Sequence, residues 1–345
     1  MRALAREFDL GGITVFGRLG NIESPEQVAG LSHDVRNLGM ELPAWMGIDQ
    51  EGGRVARLRS PFTEWPPMAV LGRSNDVRLA GKFAAAMAAE MAAVGISLDY
   101  APVLDIHTNP KNPVIGDRAL GDTPEVVSQL GRVIIDELQR AGIAACGKHF
   151  PGHGDTAADS HHELPIIEHT PDRLRAIEFA PFKAAIDARV AFVMTAHVLV
   201  VSIDDEHPAT LSPKIVQRIL REEMGFDGVI VSDDLEMKAI ADKYSPGEAA
   251  VLAVSAGCDA LLMCGAGGTG KTVNIELQAT ALEALIHAVE QDRLPLKRVE
   301  AALERNRLAK ERFLRDWRPP TPAQLRSVIG SDEHRAISEQ MAEFA

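Results

Sequence analysis

The chain has 345 residues, 46% of them hydrophobic and 25% charged, which is enough for one large domain or two small ones. Its 36 basic residues against 49 acidic ones give a net charge of −13, which argues against nucleic acid or an anionic membrane as the main partner. The three cysteines, Cys146, Cys258 and Cys264, suggest no disulfide framework and, with no signal peptide visible, lead us to expect a cytoplasmic protein.

In chain order, residues 1–9 read as the end of an amphipathic helix, stopped by Gly11 and Gly12. A repeated beat of apolar strand, loop and capped helix follows. Ser24-Pro25-Glu26-Gln27 opens a helix with Ser as N-cap, Pro in the first turn and Gln closing a capping box, and Gly39 ends it. The same start recurs at Thr123-Pro124, Thr170-Pro171, Ser212-Pro213 and Ser245-Pro246-Gly247-Glu248. Strands are expected over residues 13–16, 43–49, 96–105, 142–148, 190–197, 228–233 and 258–264. The apolar run from Val190 to Val201 is broken by Thr195 and His197, so it suits a buried strand rather than a bilayer span.

Five of these strands end in a charged or polar residue: Asp49, Asp105, Lys148, His197 and Asp233. Functional groups gathered at the same end of successive apolar strands are the pattern of a (β/α)8 barrel. Seven strands are visible and an eighth is expected to precede Met1, so that the barrel lacks its first strand or stays open at that seam. Residues 1–318 are read as the barrel domain, and residues 319–345 as a linker (Arg318-Pro319-Pro320 at its start) and a tail of two outer helices.

The chemistry concentrates in Lys148-His149-Phe150-Pro151-Gly152-His153-Gly154-Asp155-Thr156, running on through Asp159-Ser160-His161 to Leu164-Pro165. Glycines and prolines forbid regular structure there, and a loop so rich in imidazole at a strand's C-terminal end is where a barrel places its reaction. In Gly47-Ile48-Asp49-Gln50-Glu51-Gly52-Gly53-Arg54-Val55-Ala56-Arg57 a strand ends in an acid and two glycines allow a tight turn, which brings Arg54 and Arg57 back. A carboxylate of this kind accepts from paired hydroxyls, and an arginine donates to oxygens. Gly116-Asp117-Arg118 adds one more arginine in a loop. In Val229-Ile230-Val231-Ser232-Asp233-Asp234-Leu235-Glu236-Met237 two acids end a buried strand. Adjacent residues of a strand point to opposite faces, so one of the pair faces the site, and the residues alone leave open which.

The Asp49 segment, the loop from Lys148 to Pro165 and the Ser232–Met237 segment, in that chain order, resemble motifs of glycoside hydrolase family 3, and in particular its β-N-acetylglucosaminidase branch, from about Gly11 to Arg315. The resemblance implies a TIM-like barrel and a retaining exo-hydrolase that removes terminal β-linked N-acetylglucosamine. It implies Asp233 as nucleophile, His161 as acid/base and Asp159 as its partner. It also implies Asp49, Arg57, Arg118, Lys148 and His149 as sugar-binding residues, with His153 in support. Such chemistry needs a carboxylate below the anomeric carbon and a proton donor beside the leaving oxygen, and an imidazole can fill the second role near neutrality. The Gly and Pro content of the loop suggests that His161 rides on a mobile flap.

The partner expected is a small N-acetylglucosamine-containing glycoside from cell wall or chitin, with peptidoglycan recycling as the setting that the branch implies. No metal and no cofactor are expected, although His149, His153, His161 and His162 with Asp155 offer zinc-ligand chemistry. Phosphorolysis through the same nucleophile is one alternative. The other is nucleotide binding, because Gly265-Ala266-Gly267-Gly268-Thr269-Gly270-Lys271-Thr272 fits the phosphate-loop pattern after an apolar strand.

Overall fold

The computed structural model describes residues 10–17, 20–40, 42–265, 275–315 and 321–345. The expected terminal helix over residues 1–9, the linker prolines Pro319 and Pro320 and all but the first residue of the phosphate-loop pattern lie outside the described residues.

Seven parallel strands form one sheet in chain order. They are β1 (Gly12–Thr14), β2 (Trp45–Ile48), β3 (Leu98–Asp99), β4 (Ala144–Phe150), β5 (Phe192–Thr195), β6 (Val229–Asp234) and β7 (Ala260–Leu262). Each overlaps a span expected from the sequence, and all but β3 match it to within two residues at either end. The sheet curls far enough for Thr14, at the end of the first strand, and Cys264, beyond the last, to line one cavity. This is a TIM-like (β/α) barrel with seven strands among the described residues. The expected strand over residues 96–105 shrinks to Leu98–Asp99 because Pro102 has no N–H to give the ladder, which resumes only as a bridge from Val103 to Lys148.

Strand residues alternate between two cores, as the pleat requires. Met46, Ile48, Ala145, Val193 and Ile230 face the helices, whereas Trp45, Leu98, Cys146, Phe192 and Val231 fill the barrel interior. Trp45 and Phe192 meet edge to face inside, with centroids 5.2 Å apart. This parity decides where functional groups go. Lys148 is in phase with Ala144 and Cys146, and Asp233 is in phase with Val229 and Val231, so both follow the inward series.

The outer layer includes α1 (Pro25–Arg36), α2 (Val77–Ala93), α3 (Pro124–Arg140), α4 (Ala180–Asp187), α5 (Pro246–Ala256), α6 (Ile275–Glu290) and α7 (Leu296–Leu314). The Ser24, Thr123, Thr170 and Ser245 side chains each accept from the N–H three residues on. Ser212 does the same for Ile215 at 3.3 Å, at the head of a wide-turned helix over Lys214–Glu223. One detail differs from expectation: Gln27 bonds the Glu23 N–H at 3.1 Å instead of closing the box on Ser24, whereas Ser245 and Glu248 form a complete box. The first helix also ends earlier than expected, at Arg36 with Asn37 as its cap.

Two further helices, α8 (Pro322–Val328) and α9 (Asp332–Ala342), pack on the outside through Leu325 and Met341. A buried acid on α2 anchors them. Glu90 accepts from the Thr63 N–H at 2.9 Å, the Thr63 hydroxyl at 2.6 Å, the Gly330 N–H at 2.9 Å and the His334 ring at 2.9 Å.

Candidate active site

One cavity of about 440 Å³ opens at the C-terminal ends of the strands. The eight residues singled out from the sequence, Asp49, Arg57, Arg118, Lys148, His149, Asp159, His161 and Asp233, all line it.

Its first wall is a lattice of alternating charge. Lys148 Nζ lies 2.9 Å from Asp49 Oδ1 and 2.6 Å from Glu51 Oε1. Arg57 reaches Asp49 Oδ2 at 3.1 Å, and Arg118 grips Glu51 with two bonds of 2.8 and 2.9 Å. The sequence builds this locally. Gln50–Gly52 and Val55–Ala56 form a short hairpin whose turn uses Gly52 and Gly53 at φ +103° and +55°, a region a side chain resists. The buried Gln50 amide oxygen then accepts from the Arg57 and Leu58 N–H groups at 2.8 and 3.0 Å, which returns Arg57 to the acids. Burial opposes ionisation of Glu51, but Arg118 and Lys148 overcome it and hold the carboxyl well below the usual range. In Asp49 burial is likewise outweighed by Lys148 and Arg57. Burial works against the Lys148 ammonium too, yet Asp49 and Glu51 raise it above its ordinary value. Acids and ammonium in the lattice thus hold one another in their charged forms.

Glu51 is the site residue that sequence reasoning passes over, since its motif gives it no task. An acid beside two glycines reads as a loop surface residue, yet it is only 3% exposed. Asp105 is a second. The sequence marks it only as a strand end, and it accepts from the His149 ring at 2.6 Å and from the His149 and His153 N–H groups at 3.2 and 2.6 Å. That carboxylate fixes the Nδ1–H form of His149, so Nε2 is the nitrogen left to act. A third, Asp99, lies below the lattice, where burial raises its carboxyl far above the ordinary value despite the Gln50 N–H at 2.9 Å.

The adjacent acids on β6 both line the cavity but differ in what they bond. Asp234 Oδ1 accepts from the Glu236 and Cys264 N–H groups at 3.1 and 3.0 Å, and so ties β6 to the chain beyond β7. Its carbonyl takes the His197 ring at 2.9 Å, while Thr210 bonds the other ring nitrogen at 2.8 Å. His197, an expected strand-end functional group, therefore braces the strand and is not among the cavity's lining residues. Among the described residues the Asp233 side chain keeps one hydrogen bond, from the Asp234 N–H at 2.8 Å. Burial favours its neutral form, but His197, His149, that N–H and His161 together lower it below the ordinary value. An ionised carboxylate thus faces the cavity within the electrostatic reach of three imidazoles.

The loop after β4 carries the remaining pair. His161 Nδ1 is 2.8 Å from Asp159 Oδ1, which also accepts the His161 N–H at 2.8 Å. Here the carboxylate again claims Nδ1–H, so Nε2 carries any mobile proton. The His161 ring is 51% exposed. Two other residues with zinc-ligand chemistry are committed elsewhere: His153 to Thr156 and Ser160, and Asp155 to Thr108 and His169. Among the described residues the group with metal-ligand spacing is instead Asp204, Glu206 and His207, none of which lines the cavity.

Comparison with known proteins gives the family. The profile described as Glycosyl hydrolase family 3 N terminal domain matches residues 1–307. A protein named Beta-hexosaminidase from Methylococcus capsulatus is 40% identical over 313 residues, covering 89% of this chain and 89% of that protein. One named Beta-hexosaminidase A from Pseudoalteromonas piscicida is 32% identical over 98% of this chain and 59% of its own length. Among solved structures, a glycoside hydrolase family 3 beta-N-acetylglucosaminidase from Paenibacillus sp. str. FPU-7 superposes with a TM-score of 0.91 at 40% identity, covering 99% of this chain and 64% of that one. The chain thus spans about three fifths of two of these relatives and nearly all of the third. With the profile matched over most of its length, this chain belongs to glycosyl hydrolase family 3.

Proposed function

We propose that this chain hydrolyses terminal β-linked N-acetylglucosamine from small glycosides with retention of configuration. Asp233 attacks the anomeric carbon and forms a glycosyl ester while His161 Nε2–H gives its proton to the departing oxygen. The neutral His161 then takes a proton from water, whose oxygen displaces Asp233 and restores both groups. Asp159 holds the ring and balances its cation. Asp49, Arg57, Arg118, Lys148 and His149 bind the sugar hydroxyls and the acetamido group. The single observation that carries the reading is that one cavity is lined by both an ionised, strand-borne Asp233 and a carboxylate-backed His161. The names of the relatives support the choice of sugar.

The test is hydrolysis of a chromogenic β-N-acetylglucosaminide beside the matching β-glucoside, by wild type, Asp233→Ala and His161→Ala. Preference for the N-acetyl sugar, abolished by the first change and strongly reduced by the second, is expected. Equal turnover of both sugars by wild type overturns the sugar assignment, and full activity in Asp233→Ala overturns the nucleophile. Unchanged product ratios when inorganic phosphate is added separate hydrolysis from phosphorolysis. The beta-glucoside phosphorylase BglX shares the fold at 22% identity and a TM-score of 0.85, which speaks to architecture alone. No described helix is long and apolar enough to cross a membrane. Cys146, Cys258 and Cys264 form no disulfide, in keeping with the cytoplasmic setting we propose, and cell fractionation tests it.

A further inference from the structure

The loop over residues 151–165 is mostly polar, and three of its polar residues, His153, Thr156 and Ser160, are buried. His153 and Ser160 are each 2% exposed, and His153 Nε2 lies 3.2 Å from Ser160 Oγ. His153 is itself fixed to the barrel, since its N–H donates to Asp105 at 2.6 Å. Its Nδ1 is 2.7 Å from Thr156 Oγ1, and that hydroxyl has carbonyl acceptors at His153 (3.1 Å) and Ala158 (3.4 Å). With its one proton spent on a carbonyl, the Thr156 oxygen accepts from Nδ1–H and from the Asn112 amide at 3.2 Å. Nε2 of His153 is then bare, and the Ser160 hydroxyl is the donor to it.

Ser160 has a second tie, because its carbonyl accepts the Ala239 N–H at 3.3 Å. Apart from the Thr156–Ala158 contact, the hydrogen bonds that join residues 157–163 to the rest of the described chain run through Ser160. Its two neighbours in sequence are Asp159 and His161.

We propose that Ser160 is a positioning residue, whose hydroxyl, anchored on the bare Nε2 of His153, sets where the Asp159–His161 pair stands over the cavity. This inference rests on the reading of His161 as the proton donor. Ser160 lines the cavity beside His161, with its hydroxyl spent on His153. It acts through His161, and a displacement of about 1 Å at a proton donor is enough to cost up to roughly 10²-fold in rate.

Leaving-group dependence tests it. A 2,4-dinitrophenyl β-N-acetylglucosaminide departs without a proton, whereas a methyl β-N-acetylglucosaminide needs one. Ser160→Ala is expected to lower kcat/KM for the methyl glycoside roughly tenfold more than for the dinitrophenyl one, and Ser160→Thr, which keeps the hydroxyl, to restore the ratio. Because both substrates are read on the same enzyme sample, partial misfolding cancels. Equal losses on both substrates in Ser160→Ala, or a ratio that Ser160→Thr leaves as low, overturn the inference. His161→Ala is run alongside. If it too loses both activities equally, the acid/base reading falls and takes this inference with it. A large differential in His161→Ala with none in Ser160→Ala removes Ser160 alone.

Discussion

The two ends of the barrel handle buried charge in opposite ways. At the N-terminal end, Asp259 sits just before β7 with no exposed side-chain surface, and Arg221, Arg298 and Arg305 approach it at 2.5, 2.6 and 3.1 Å. The arginines spend further donors on backbone carbonyls, Arg221 on Gly228 at 2.8 Å and Arg298 on Val254, Gly257 and Cys258 at 2.7–3.0 Å. Burial, opposed by Asp259 and reinforced by Arg305 and Arg298, pushes Arg221 down to about 10. At the C-terminal end, Asp49, Glu51, Arg57, Arg118 and Lys148 again pair acids with bases, yet Arg57 Nε is buried with no hydrogen-bond partner among the described residues and Asp233 lines the cavity. A saturated cluster is a joint. An unsaturated one is a receptor, and the difference lies in how many donors the backbone consumes.

Substitutions can break that comparison. The largest effect is expected from Asp233→Ala, a loss of roughly 10³–10⁴-fold in kcat with no fall in thermal midpoint. A stability loss as large as the activity loss would make Asp233 a joint after all. Next is Asp259→Ala, which leaves three half-buried arginines facing one another and should cost about 3 kcal/mol in urea unfolding while the folded fraction keeps its kcat.

A pH prediction follows from His153. Burial, only partly countered by Asp105, lowers its ring from 6.5 to about 4. Between those values the unfolded chain binds the proton and the folded chain does not, so stability should fall as pH drops from 6.5 towards 4 and level off above 6.5. In His153→Gln that slope should flatten, and an unchanged slope in urea titrations would refute the assignment. Glu51→Gln weakens the grip on Lys148 and Arg118 and should raise KM about tenfold, or ~1.4 kcal/mol, with kcat less affected. Smallest is His334→Ala, which removes one of four donors to Glu90 and should cost about 1 kcal/mol without touching turnover.

Much of this was legible in the sequence for physical reasons. Helix starts were readable because Ser or Thr before Pro satisfies orphan N–H groups locally. Strand ends were readable because an apolar run closing on Asp49, Lys148 or Asp233 carries a charge to the edge of a core, which is costly unless a partner or a cavity receives it. Parity argued that Asp233 and Asp234 must part, but choosing between them needed the bonds from Glu236 and Cys264, which come from residues the pattern does not rank. Glu51 escaped notice because its burial depends on Arg118, 67 positions away, and no local pattern reports such a partner. The Asp259 cluster escaped for the same reason, since its arginines lie 38 to 46 positions distant.

Glu90 carries a consequence in time rather than in space. Two of its four donors arrive 240 and 244 positions later, from Gly330 and His334. During synthesis α2 and the Thr63 turn emerge early, and the acid between them waits until every described barrel strand has left the ribosome before its shell is complete. The outer face of α2 is therefore sealed late, after the sheet that its inner face covers has had time to assemble.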